Sequence, residues 1–257
     1  MQLRAADAPP WVDAAKAVHS RFSGRKGSFA QFGDSITITK AYWSPLQWQR
    51  KNMDGDTQKA FDNVKAYMQK DCWDWKGDKF GNDGGKTIAW ADEHIDQWLK
   101  DLNPETALIM FGTNDLNQVP IDQYEAKLRD VIQKCQKNGT IVILSTIPPK
   151  HGMLEKAKQY AGVDRKIARE MKLPLIDFFD EILKRRPTDW DGADPKLKQA
   201  GKEYDSDTLL GGDGVHPSYP TKYQGDYSEE GLKHCGYGLR TYLTLRMYDR
   251  VIESVLK

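Results

Sequence analysis

Thr106-Ala-Leu-Ile-Met-Phe111, followed at once by Gly112-Thr-Asn-Asp115, is the stretch that decides the fold. The first six residues are almost continuously apolar, as a parallel strand covered on both faces must be. Gly112 then lets the backbone turn sharply. Thr140 to Ser145 (Thr-Ile-Val-Ile-Leu-Ser) repeats the pattern and is stopped by Pro148-Pro149. Between the two lies Asp122 to Lys137, with Tyr124, Leu128, Val131, Ile132 and Cys135 at helical spacing. Asn138-Gly139 closes that helix.

Working outward, Ser28 to Phe32 reads as a short strand ending at Gly33, and Thr87 to Leu102 as a helix. Leu154 to Met171 is a helix, Leu175-Ile176 a short strand and Phe178 to Arg185 a helix. Trp11 to Ser23 opens the chain as a helix, and Glu229 to Lys257 closes it, with a break near Gly236 and Gly238. Strand and helix in alternation imply an α/β fold, a parallel sheet with helices on both faces. The 257 residues are read as one domain. Residues 1–27 form an N-terminal helical extension, 36–83 an aromatic-rich insertion and 186–212 a polar loop near the site. Tyr42, Trp43, Trp48, Phe61, Tyr67, Trp73 and Trp75 crowd the insertion; some of them must be core, and any indole left exposed is a platform for a sugar or an acyl chain.

The charge balance, Lys+Arg 38 against Asp+Glu 37, leaves a net +1 and no electrostatic footprint for nucleic acid. No apolar run approaches the ~20 residues of a membrane span. Met1 to Pro10 lacks the apolar core of a secretory signal. The small, Pro-rich Arg4 to Pro10 has the character of a mature N-terminus, so export with the leader removed is the expectation. Cys72, Cys135 and Cys235 share no motif spacing and are expected to be buried free thiols.

Four segments carry chemistry. Gly33-Asp34-Ser35 puts a serine after a strand and at the start of a helix, near the positive end of its dipole. Gly84-Gly85 is a glycine turn into a helix and presents bare N–H groups. It lacks the spacing and the preceding strand of a phosphate loop, which excludes nucleotide binding. Asn114 offers a side-chain NH₂ that can face an oxyanion. In Asp213-Gly214-Val215-His216-Pro217 the carboxylate can reach imidazole Nδ1 and leave Nε2 for Ser35. The remaining histidines have no ligand spacing to His216 and the acidic clusters lack a calcium-loop pattern, so neither metal nor other cofactor is expected.

Together, Phe32-Gly33-Asp34-Ser35-Ile36-Thr37, Gly85, Gly112-Thr113-Asn114-Asp115 and Asp213-Gly214-Val215-His216-Pro217 resemble the four blocks of the SGNH/GDSL hydrolases. The resemblance runs from about residue 28 to the C-terminus. It implies a flavodoxin-like three-layer α/β/α sandwich and metal-free ester hydrolysis. Ser35 becomes the nucleophile, His216 the base and Asp213 the orienting acid. The N–H groups of Ser35 and Gly85 and the amide of Asn114 form the oxyanion hole, with Asp34, Gly84 and Thr113 as substrate-binding neighbours. One block departs from the family pattern: Asn82-Asp83-Gly84-Gly85 fits imperfectly and leaves Gly84 or Gly85 as the donor. Gly85 is preferred because Lys86-Thr87 then falls where the following helix starts. The long Ser35-to-Gly85 separation marks an insertion that shapes the cleft.

The expected reaction removes a short acyl group, acetyl first, from a carbohydrate or related small ester, as many sugar deacetylases of this resemblance do. A lipid ester or thioester hydrolase is the nearest alternative, and an acyltransferase uses the same residues. A carbohydrate-binding module without turnover is the rival from another class.

Overall fold

The computed structural model describes residues 9–199, 201 and 203–257. The run read as a mature N-terminus lies, up to residue 8, outside the described residues. In chain order the elements are α1 (Trp11–His19), β1 (Phe29–Gly33), α2 (Ser35–Ile38), α3 (Gly55–Tyr67), α4 (Ile88–Leu102), β2 (Thr106–Met110) and α5 (Asp115–Gln118). They continue with α6 (Ile121–Lys137), β3 (Ile141–Ser145), α7 (Leu154–Glu170), β4 (Leu175–Ile176), α8 (Phe178–Arg185), α9 (Glu229–His234) and α10 (Gly236–Val251).

The strands form one parallel sheet in the order β1-β2-β3-β4, with Phe29 opposite Thr106 and Thr106 opposite Ile141. Every residue of β1, β2 and β3 is buried, which is why these strands are so uniformly apolar. Strands laid down in sequence across a sheet, joined by right-handed crossovers, send connecting helices to one face. α4, α6 and α7 pack side by side there, whereas α3, also between β1 and β2, packs on α10. α1, α10 and the turn Ile252–Leu256 pack together to cover the other face. The parity of β1 makes the three layers visible in two side chains. Phe29 stacks on Tyr248 of α10, and Phe32, three residues on and pointing the opposite way, stacks on Trp98 of α4. On the far side of β1, pairing shrinks to a single parallel bridge between Gly33 and Asn82.

One boundary needs correction, and two readings gain detail. α1 stops at His19, because Phe22 N–H closes a turn onto the His19 carbonyl and its ring stacks on the imidazole. The closing helix is two helices: Cys235 is extended, and its Sγ accepts from Gly238 N–H to cap α10. Most of the aromatic insertion is core. Tyr42, Trp43, Phe61, Trp73 and Trp75 are buried, and Trp48 alone is left well exposed, at 66%. Trp43 even adopts left-handed backbone (φ 65°), a strained state for a bulky side chain, held by stacking on Trp73 and edge contact with Phe29.

The polar stretch 186–212 is tied down at both ends. Leu210 N–H donates to the Trp190 carbonyl, and Leu209 and Leu210 are fully buried. All three cysteines are buried free thiols. Among the described residues no helix is long and apolar enough to cross a membrane.

Candidate active site

Ser35 stands at the carboxyl end of β1, as the first residue of α2. Asp34 caps that helix, its carboxylate accepting from Ile36 N–H at 3.0 Å. The other end of this single turn is held by the fully buried Arg240. Its guanidinium donates to the Ile36 carbonyl and to Thr37 Oγ1 and lies 3.8 Å over the Tyr42 ring. Gly33 leaves no room for a side chain, because an added methyl would collide with Thr37 Oγ1 and the Met110 carbonyl. The serine is therefore held in place from both sides along the chain.

The Asp213–His216 turn meets it from the far end of the sequence. Asp213 Oδ1 accepts from Val215 and His216 N–H at 2.9 and 3.0 Å, an Asx turn that leaves Oδ2 facing the imidazole. His216 Nδ1 lies 2.5 Å from Asp213 Oδ2, and Nε2 lies 2.9 Å from Ser35 Oγ. Burial pushes the Asp213 carboxyl up, but the imidazole and the two N–H groups outweigh it and hold its pKa below the usual value.

The other two turns are laced to α2 by buried carboxylates. Asn114 Nδ2 donates to the Lys86 carbonyl at 2.9 Å and to Asp34 Oδ2 at 3.3 Å. Asp115 Oδ1 accepts from Ile88 N–H at 2.9 Å, so it caps α4, which lacks a cap of its own. Burial pushes Asp34 and Asp115 both up to about 6, and for Asp115 the charge of Asp34 adds to the rise. Asn82 pins the glycine turn to the sheet: its NH₂ donates to the carbonyls of Gln31 and Trp75, and its Oδ1 accepts from Gly77 N–H.

Gly84 N–H is taken by the Asp83 carboxylate at 2.8 Å. Among the described residues the N–H groups of Gly85 and Ser35 have no protein acceptor. Gly85 is in left-handed backbone (φ 71°), which a glycine reaches without strain. Asp34 and Thr113 were expected to touch substrate; both are buried, Asp34 as a helix cap and Thr113 with its hydroxyl sealed in the interior. The Gly84 N–H, held by Asp83, would have to leave that carboxylate to meet a substrate.

A cavity of about 380 Å³ opens beside Ser35 and His216, lined by Thr39, Ala41, Tyr204, Tyr219 and Tyr237. Sequence reading missed all five. Tyr219 lies only three residues past His216, but nothing in the sequence brings Tyr204 or Tyr237 to the same wall.

The family model for the GDSL-like Lipase/Acylhydrolase family matches residues 32–220, from the strand before Ser35 to just past His216. The chain belongs to that family. Solved structures similar to this GDSL-like acylhydrolase include a lipase/acylhydrolase from Enterococcus faecalis, with 18% identity, a TM-score of 0.54 and coverage of 86% of this chain and 95% of that one. A catalytic mutant of Axe2, an acetylxylan esterase from Geobacillus stearothermophilus, is similar at 18% identity and TM-score 0.53, over 87% and 95% of the two chains. The psychrotrophic esterase EstA from Pseudoalteromonas sp. follows at 15% and 0.53, over 88% and 99%. None of the curated proteins matches the chain. At these identities the likeness to solved structures is one of fold. Family membership makes the GDSL-like acylhydrolase a carboxylic ester hydrolase.

Proposed function

We propose that the chain hydrolyses short acyl esters of a carbohydrate, acetyl esters first, through Ser35, His216 and Asp213. One observation carries the proposal: Nε2 of an imidazole already oriented by a carboxylate lies 2.9 Å from the hydroxyl of Ser35. That is the reach a general base needs. Neutral His216 takes the Ser35 proton as Oγ attacks the ester carbonyl, and Asp213 holds the tautomer that leaves Nε2 free. The Ser35 and Gly85 N–H groups and the Asn114 amide receive the oxyanion, a contribution of roughly 10²–10³ in rate for one such donor. The imidazolium then gives its proton to the leaving alkoxide. Water, deprotonated by the same imidazole, releases the acid.

Similarity to Axe2, described as an acetyl-xylooligosaccharide esterase and as an acetylxylan esterase, favours an acetylated sugar as substrate. The test is p-nitrophenyl acetate hydrolysis by wild type and Ser35→Ala. Turnover should vanish in the variant while its circular dichroism spectrum and Tm stay near wild type. A folded Ser35→Ala protein with undiminished turnover would overturn the assignment.

A further inference from the structure

We propose that the tyrosine-lined cavity is the site of the leaving alcohol, and that it accepts a polyhydroxylated alcohol, a sugar ring, with the cavity-facing Tyr237 hydroxyl as a hydrogen-bond partner. The inference rests on the serine-hydrolase reading above. In that reaction the Ser35 Oγ–carbonyl bond forms, the bond from the carbonyl carbon to the alcohol oxygen breaks, and the proton on His216 Nε2 passes to that oxygen. The departing oxygen must lie within hydrogen-bond reach of the imidazole. The alcohol therefore occupies the imidazole side of Ser35. His216 and Ser35 are themselves part of the cavity wall on that side.

The remaining wall is hydroxylated in a way that an alkyl chain could not satisfy. Tyr237 is 3% exposed as a whole, but its hydroxyl is not sealed: it opens on the cavity, and among the described residues no side chain or backbone group pairs with it. Unlike Tyr248, whose hydroxyl is sealed inside, Tyr237 borders the cavity. A hydroxyl that faces the cavity with no protein partner is free to donate to and accept from a ligand hydroxyl. Tyr219 donates to Gln49 Oε1 at 2.8 Å, which leaves its oxygen free to accept. Thr39 Oγ1 accepts from Ala41 N–H at 3.2 Å, so its own O–H is free to donate.

Aromatic faces complete the wall. Tyr204 stands edge-on to the His216 ring at 5.9 Å and 44% exposed, at the mouth. Its carbonyl accepts from Tyr219 N–H at 2.7 Å, which joins the two tyrosines into one wall. Donors, acceptors and ring faces around one space match the polar edges and C–H faces of a pyranose.

The experiment varies the alcohol and the acyl group separately: ethyl acetate, acetylated xylobiose, p-nitrophenyl acetate and p-nitrophenyl butyrate, with wild type, Tyr237→Phe and Tyr219→Phe. Wild type should prefer the sugar acetate over ethyl acetate in kcat/KM. Tyr237→Phe should cut that preference by about 5–10-fold, chiefly through KM, as loss of one neutral hydrogen bond would. Tyr219→Phe should cut it in the same direction, which keeps the test open if one variant folds poorly. A loss that follows acyl length instead of the alcohol would make the cavity an acyl pocket and overturn the inference. So would a wild type that turns over p-nitrophenyl acetate but does not distinguish sugar acetate from ethyl acetate. A wild type inactive on every ester would bring down the hydrolase reading itself, and this inference with it.

Discussion

Asn114 has two protein acceptors for its two amide hydrogens, the Lys86 carbonyl at 2.9 Å and Asp34 Oδ2 at 3.3 Å. The longer of these is the weaker bond, and it is the one that an oxyanion would compete for. An interaction formed fully only when charge develops on the substrate lowers the barrier without tightening the ground state. Asn114→Ala should therefore reduce kcat by about 10²-fold with little change in KM. Steady-state kinetics on p-nitrophenyl acetate check this, and a variant that raises KM while keeping kcat would remove Asn114 from the oxyanion hole. Residue by residue, the sequence was legible where a motif carries its own geometry. The three-residue spacing of Asp213 and His216 is such a case, because an Asx turn orients both side chains. Gly84 and Gly85 could not be told apart, since the difference lies in where the Asp83 carboxylate turns. Asp34 poses a related difficulty. A capping carboxylate and a substrate-facing one look the same in sequence, and only the depth of the turn beneath the sheet edge separates them.

The helices and strands were read largely correctly because burial on both sheet faces leaves an unbroken apolar run and burial on one helix face leaves a periodic one. The break before α10 is legible in Gly236 and Gly238, but its cause is not. It depends on a sulfur atom capping a helix and on how closely Gly236 approaches another segment. A methyl at Gly236 would collide with the Leu209 carbonyl and press on Pro217 and Ser218. Those last two residues directly follow His216, so the start of α10 buttresses the turn that carries the imidazole. Gly→Ala at the first turn of a helix is ordinarily neutral or stabilising. Here Gly236→Ala should cost about 1–3 kcal/mol by overpacking, seen as a fall in Tm of roughly 3–10 °C. A rise in Tm in thermal unfolding would show that the two segments have slack between them. Which rings of the insertion between α2 and α4 are core is not legible for a comparable reason. Aromatic density does not reveal orientation, and a sheet of only four strands needs these rings to enlarge its core.

At the scale of the whole molecule, segments more than 180 positions apart meet at the carboxyl edge of the sheet, where Ser35 follows β1 and the loop after α8 brings in His216. The loops leaving that edge must tuck under one another. Their capping carboxylates are buried as a result: Asp34 and Asp115 are both fully inaccessible and both raised from 3.8 to about 6. The sign follows from proton counting. Between pH 3.8 and about 6 the folded chain binds more protons at Asp115 than the unfolded chain does, so this group's contribution to stability falls as pH rises through that window. It is fully present below the window and absent above it. A shift of this size corresponds to about 3 kcal/mol for a group that stays buried in both protonation states. Asparagine can keep the acceptor for Ile88 N–H and carries no charge to desolvate. The Tm of Asp115→Asn relative to wild type should therefore be higher at pH 8 than at pH 4 by roughly 5 °C. Thermal unfolding at the two pH values checks the sign as well as the size. An equal difference at both would mean that the carboxylate stays solvated or finds a cation, and that the strand-edge loops are looser than the packing of Asp34, Asn114 and Asp115 implies.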